Sequence, residues 1–146
     1  MAIDRQGTGL AIIRVCLGVF FLFEGIAKLR WLVDTSILAG RLSGWLADPT
    51  AGSLSRRYLE HVAIPFTTVF ARLVPLGELA AGVAFLTGVW TPVAALLAFL
   101  MVLNIHIAAG AMLKFAFLTN PYGLPVLGPT LGLAIGGVRL PWRLRR

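Results

Sequence analysis

Charge is scarce in this chain. Only 13% of its 146 residues are charged, about half of the roughly 25% that a soluble domain carries. That deficit excludes an ordinary water-facing domain and points to a membrane. Cysteine is scarcer still. Cys16 stands alone, so neither an internal disulfide nor a Cys-x-x-Cys redox pair can form. Inside an apolar run it reads as a small buried filler. With one cysteine and two histidines there is no ligand set for structural zinc, and no metal is expected. Acids are few, 6 against 13 lysines and arginines. The resulting charge of +7 does not collect into a patch for nucleic acid. The bases stand at the ends of apolar runs, where they meet lipid headgroups. A phosphate loop, a catalytic triad signature and a dinucleotide fingerprint are all missing. No Ala-x-Ala-like site follows Arg5 and the first run, so a retained helix is expected there.

Apolar sequence is abundant, at 58%. It falls into four runs, over residues 10–29, 69–90, 92–114 and 124–140. A helix needs about 20 such residues to cross a hydrocarbon layer of roughly 30 Å. The expectation is an all-α integral membrane protein with a single membrane domain, a four-transmembrane-helix bundle. Residues 31–68 would form an interfacial helical connection between the first two spans. There Leu38, Leu42, Trp45 and Leu46 recur at helical spacing with Arg41 and Ser43 between them, the pattern of a helix lying in the interface. Asp48-Pro49-Thr50-Ala51-Gly52 reads as a turn. Thr91-Pro92 makes a tight connection with proline at the start of the third span. Gly128, Gly132 and Gly136 form a ridge of small residues suited to close helix contact. Arginines 139, 143, 145 and 146 in the tail place both termini in the cytoplasm by the positive-inside rule, for an inner membrane if the source is bacterial.

Ionisable residues inside apolar runs carry the functional reading. A charge in the hydrocarbon costs about 2.5–3.5 kcal/mol or more, so it faces a bundle interior and has a partner. Glu78 lies within the second run, Glu24 and Lys28 end the first, and Asn104 and His106 lie in the third. Counting along the helices puts Glu24, Glu78 and His106 at nearly one depth, with Lys28 and Arg72 above them and Asn104 slightly deeper. Two readings follow. In one, Glu78, His106 and Glu24 are proton carriers, and Lys28, Arg72, Asn104 and Trp31 contact a bound redox-active ring such as a quinone. Phe21, Trp31 and Phe115 would pack on that ring. In the other, the groups only tie helices together, Glu24 to Lys28 and Glu78 to Arg72 or His106. A haem on His61 and His106 is a further option, but no spacing motif surrounds His61.

Phe21-Leu-Phe-Glu-Gly-Ile-Ala-Lys-Leu29 resembles the Gly-x-x-Lys ending of the first helix in the DoxX/DoxD family. Gly77 to Thr91 looks like that family's second-helix signature, an acid followed by small residues and a Leu-x-Gly-x-x-Thr turn. Gly44-Trp45-Leu46 and Asn120-Pro121 look like its DoxD branch. The resemblance covers nearly the whole chain and implies a four-helix membrane bundle. It carries over to Gly25, Lys28 and Glu78. Many relatives have a histidine where Glu24 stands, which is a departure. DoxD members are similar to the small membrane subunit of thiosulfate:quinone oxidoreductase, and others are membrane partners of redox or thiol-stress proteins. The region that reacts with thiosulfate has no counterpart here, so the resemblance implies a partner subunit.

The sequence therefore supports a membrane subunit of a redox complex, handling a quinone or a small sulfur substrate and carrying no intrinsic cofactor. The alternative is a non-catalytic structural or assembly subunit of a larger membrane complex. A small transporter fits less well, because no inverted repeat is visible.

Overall fold

A computed structural model describes residues 5–112 and 114–142, with the side chains of Ala116 and Arg139 left aside. The arginines at 143, 145 and 146, on which the expected orientation rests, lie outside the described residues.

Among the described residues, three helices are long and apolar enough to cross a membrane. They are α1 (Arg5–Ala27), α4 (Thr67–Thr87) and α5 (Thr91–Ala108). The connection between the first two holds a 3₁₀ turn (Leu29–Leu32), α2 (Ser36–Ala47), α3 (Ser53–Tyr58) and one turn of π helix (Leu59–Ala63). Beyond α5 come the short α6 (Phe115–Leu118), then α7 (Leu124–Gly136) and a closing 3₁₀ turn (Gly137–Arg139). Helix α7 has 13 residues. At 1.5 Å each it reaches about 20 Å, short of the roughly 30 Å hydrocarbon thickness. The fourth expected element is therefore helical and apolar, but shorter than the run 124–140 from which a full span was expected.

Helix α5 stops at Ala108 rather than continuing to 114. Gly110 takes a left-handed φ of +62°, and the Ala111 N–H turns back to the His106 carbonyl. That is a glycine-terminated helix end. The Ser55 hydroxyl adds a hydrogen bond to the Ala108 carbonyl, tying the connection to this end of the bundle. Between α4 and α5, Gly88 at φ +72° and Pro92 in the first turn make the tight junction that the sequence suggests.

Helix α1 packs along α4, α4 along α5, and α5 along α7. At the terminal end of the bundle, the Arg14 guanidinium donates to the Trp142 carbonyl at 2.7 Å, which ties the last described residue to α1. The opposite end is roofed by the connection. Leu38, Leu42, Leu59 and Ala63 are buried there against Ala71, Val74 and Ala108.

Two expectations about small residues are corrected. Cys16 is exposed. It shares the outward face of α1 with Ile12, Ile13, Val19 and Phe23, while Arg14, Leu17 and Phe21 take the buried face. The ridge on α7 is also uncovered. A Cβ built on Gly128 or Gly132 meets nothing within 4 Å, and one on Gly136 meets only Leu10 at 3.5 Å. The close approach lies between α1 and α4 instead.

Candidate functional site

Glycines set the spacing of α1 and α4. A Cβ on Gly25 would lie 2.9 Å from the Leu79 backbone nitrogen, one on Gly82 2.7 Å from that of Leu22, and one on Gly18 3.0 Å from that of Leu86. With no side chains between them the backbones run in contact. Lys28 follows Gly25 by one turn, and Glu78 precedes Leu79. The contact that needs Gly25 therefore brings this ammonium to this carboxylate.

Lys28 Nζ donates to both Glu78 oxygens at 2.8 and 2.9 Å, and to Glu24 Oε2 at 2.6 Å. Glu78 is 4% exposed, so its charge has little water to rely on. When all three groups are ionised, two carboxylates against one ammonium leave a formal charge of −1. The expected pairing of Glu78 with Arg72 or His106 is replaced by Lys28. Lysine reaches Glu78 because the α1–α4 contact is so close.

His106 lies in the last turn of α5. Its Nδ1 is 2.8 Å from the Val102 carbonyl. A carbonyl only accepts, so Nδ1 carries the proton and the neutral ring holds its lone pair on Nε2. Nε2 has no hydrogen-bond partner among the described residues. Phe117 stands edge-on to the ring, 5.1 Å between centroids. Asn104 Nδ2 donates to the Tyr58 hydroxyl at 2.6 Å, joining α5 to α3. Trp31 is buried, with Lys28 Nζ 6.0 Å and the Arg41 guanidinium 5.3 Å from its ring centre. Both cations are within reach of the ring's negative face.

These side chains surround one cavity of about 590 Å³. That volume lies within the usual range for small-molecule sites, about 300–1,000 Å³. Glu24, Lys28, Trp31, Glu78, Asn104 and His106 all line it. Arg72 does not, and it is exposed on another face of α4. Counting depth along a helix places a residue at a level but not on a face, which is why Arg72 was included. Of the aromatic residues expected around a ring, Phe21 and Trp31 line the cavity, whereas Phe115 is 81% exposed. His61 is exposed, outside the cavity, with Nδ1 bonded to the Arg57 carbonyl, so the two histidines are not gathered in one site. No group of three or more potential metal ligands occurs among the described residues.

Sequence reasoning missed Arg41, Tyr58, Phe20 and Tyr122, which also line the cavity. Arg41 had a visible signal, a base within the amphipathic period of α2. Tyr58 and Tyr122 lie in polar segments whose placement over the bundle has no period to reveal it.

Residues 9–111, more than half of the chain, match the family model described as DoxX. No curated protein and no solved structure matches.

Proposed function

The chain belongs to the DoxX family and is an integral membrane protein, and on that premise we propose that it is the membrane subunit of a redox complex, binding a quinone ring in the cavity beneath α2 and α3. One observation carries this reading: Lys28 held between Glu24 and Glu78, in the same aromatic-lined cavity as His106, whose Nε2 has no hydrogen-bond partner among the described residues.

Reducing a quinone to a quinol adds two electrons and two protons. The sequence has no motif for an electron carrier, so the electrons are assigned to a partner subunit. The protons are assigned to this chain. The Glu24–Lys28–Glu78 cluster has one carboxylate in excess, so it can hold a proton without leaving a bare charge. Glu24 is its more open member, since its side chain is 28% exposed while that of Glu78 is 6% exposed. His106 Nε2 is the second proton-carrying atom. Trp31, Phe20 and Phe21 supply flat apolar surface for the ring, and Tyr58 and Asn104 supply polar contacts for its oxygens.

Electrostatics favour a quinone over a small sulfur anion. Lys28 is already shared by two carboxylates, and with Arg41 the charged groups that line the cavity sum to a formal charge of zero, so no excess positive charge is held ready for a divalent anion. An uncharged ring suits a lining with no net charge. The test is gentle purification from native membranes followed by solvent extraction. The reading predicts quinone retained at close to one per chain. Its absence, with stoichiometric partner subunits present, favours the second reading.

That second reading is a non-catalytic assembly subunit. The uncovered Gly128–Gly132 face of α7 favours it, because a helix from another chain can approach such a face closely.

A further inference from the structure

The proposed site lies in a bundle with one weak wall. Helix α7 has 13 residues against 23 in α1, so it is shorter by roughly 15 Å. The two helices touch at the terminal end, where Leu10 meets Gly136. Toward the roofed end α7 stops, and the wall beside α1 is completed by the 119–123 turn. That turn is shaped locally. The Tyr122 N–H donates to Asn120 Oδ1 at 2.8 Å, and a Cβ on Gly123 would strike the Phe117 carbonyl at 2.5 Å. Across the gap Phe20 of α1 stands against Tyr122, 5.7 Å between ring centroids and tilted by 46°.

Both rings line the cavity, and Tyr122 is 48% exposed. They therefore stand between cavity and surroundings. The flanking surface is apolar and uncovered. Val19 and Phe23 on α1 are 45% and 65% exposed, and Leu118 and Leu124 beside the turn are 50% and 49% exposed. In a membrane protein such a surface meets acyl chains. The roof is different, since α2 and α3 cover the cavity and α3 is fastened by Ser55 to Ala108 and by Tyr58 to Asn104.

We propose that the Phe20–Tyr122 contact is the door through which a lipid-dissolved quinone reaches the cavity, its ring passing inward while its alkyl or isoprenoid tail stays in the bilayer between α1 and the 119–123 turn. The proposal rests on the quinone reading above and adds the route and the kind of quinone. A long-tailed molecule needs a side opening, because its tail has nowhere to go in a closed cavity. A tail-less, water-soluble quinone has no such need.

The experiment uses the full chain in lipid nanodiscs. Binding is followed by quenching of tryptophan fluorescence, since Trp31 and Trp45 line the cavity. Two probes are compared, a long-tailed quinone dissolved in the lipid and a tail-less quinone with the same ring, added from water. Tyr122→Ala is expected to speed association of the tailed probe by about tenfold, and Tyr122→Trp to slow it similarly. The tail-less probe should change by less than about twofold in both variants, which also shows that the site remains intact. Equal responses of the two probes, or no response of the tailed probe to any variant, would overturn the door while leaving the site. Failure of both probes to quench the wild-type chain would overturn the site itself, and the door with it.

Discussion

Lys28 is the residue on which the cluster turns. It is the only cation bonded to Glu78 among the described residues, and it also pairs with Glu24. Removing it leaves two carboxylates facing one another, one of them buried. Lys28→Met is expected to cost about 3–5 kcal/mol of stability. Glu24→Gln should change stability by no more than about 1 kcal/mol, because a one-to-one pair remains and Glu24 is the more exposed of the two acids. Thermal unfolding in detergent measures both, and equal losses in the two variants would deny Lys28 its central place. Arg14 makes a contrasting case. It is 1% exposed and gives one hydrogen bond to the Trp142 carbonyl, while its Nε and Nη1 have no partner among the described residues. Burying two unpaired donors is unfavourable. Arg14→Met is therefore expected to hold or raise the unfolding temperature, and a fall of many degrees would show a partner for those nitrogens. Glu24, Lys28, Glu78 and His106 were legible in the sequence because charge in an apolar run demands company. Arg14 carried the same signal but stood far from the others, and Arg72 shared their depth but not their face.

Among the elements, the α1–α4 pair carries the site. Its closeness depends on glycines whose role the sequence only hinted at, through Gly25 in the Gly-x-x-Lys ending. The more visible glycine ridge of α7 turned out uncovered, since a spacing of four marks a face but not what lies against it. Gly82→Val would drive a branched side chain into the Leu22 backbone. It is expected to cost about 1–3 kcal/mol or more and to part Lys28 from Glu78. Gly132→Val meets open space and should leave the isolated chain unchanged. The end of α5 was misjudged because Ala109, Gly110 and Ala111 continue the apolar composition while Gly110 changes the backbone direction. The connection has its own pH signature. The Thr50 N–H and hydroxyl both donate to Asp48, each at 2.8 Å, and hold its carboxyl below the usual carboxylate range. A lowered folded-state pKa gives stability that is present above the unfolded value and lost as pH falls through the folded one. Asp48→Ala should therefore differ from the wild-type chain at neutral pH and converge with it in acid. Parallel unfolding curves from pH 7 to about 3 would contradict this.

For the molecule as a whole, composition announced a membrane protein and the order of its helices, because apolar length and scarce charge act over the entire chain. The convergence of helices one, two and three on one cavity was also legible, through depth. The roof was legible as an amphipathic segment, but its contacts were not. Arg41 and Tyr58 reach the cavity only because α2 and α3 fold back over the bundle. The short α7 and the gap beside it were hidden, because the last apolar run is longer than the helix it forms. The central claim is that this cavity binds a quinone through the Lys28–Glu78 cluster and His106. The most direct measurement is a quinone titration of the purified chain in nanodiscs, comparing wild type with Glu78→Gln and His106→Gln. The account predicts saturable binding near one per chain, weakened about tenfold or more in each variant. Identical binding curves for all three proteins would contradict it.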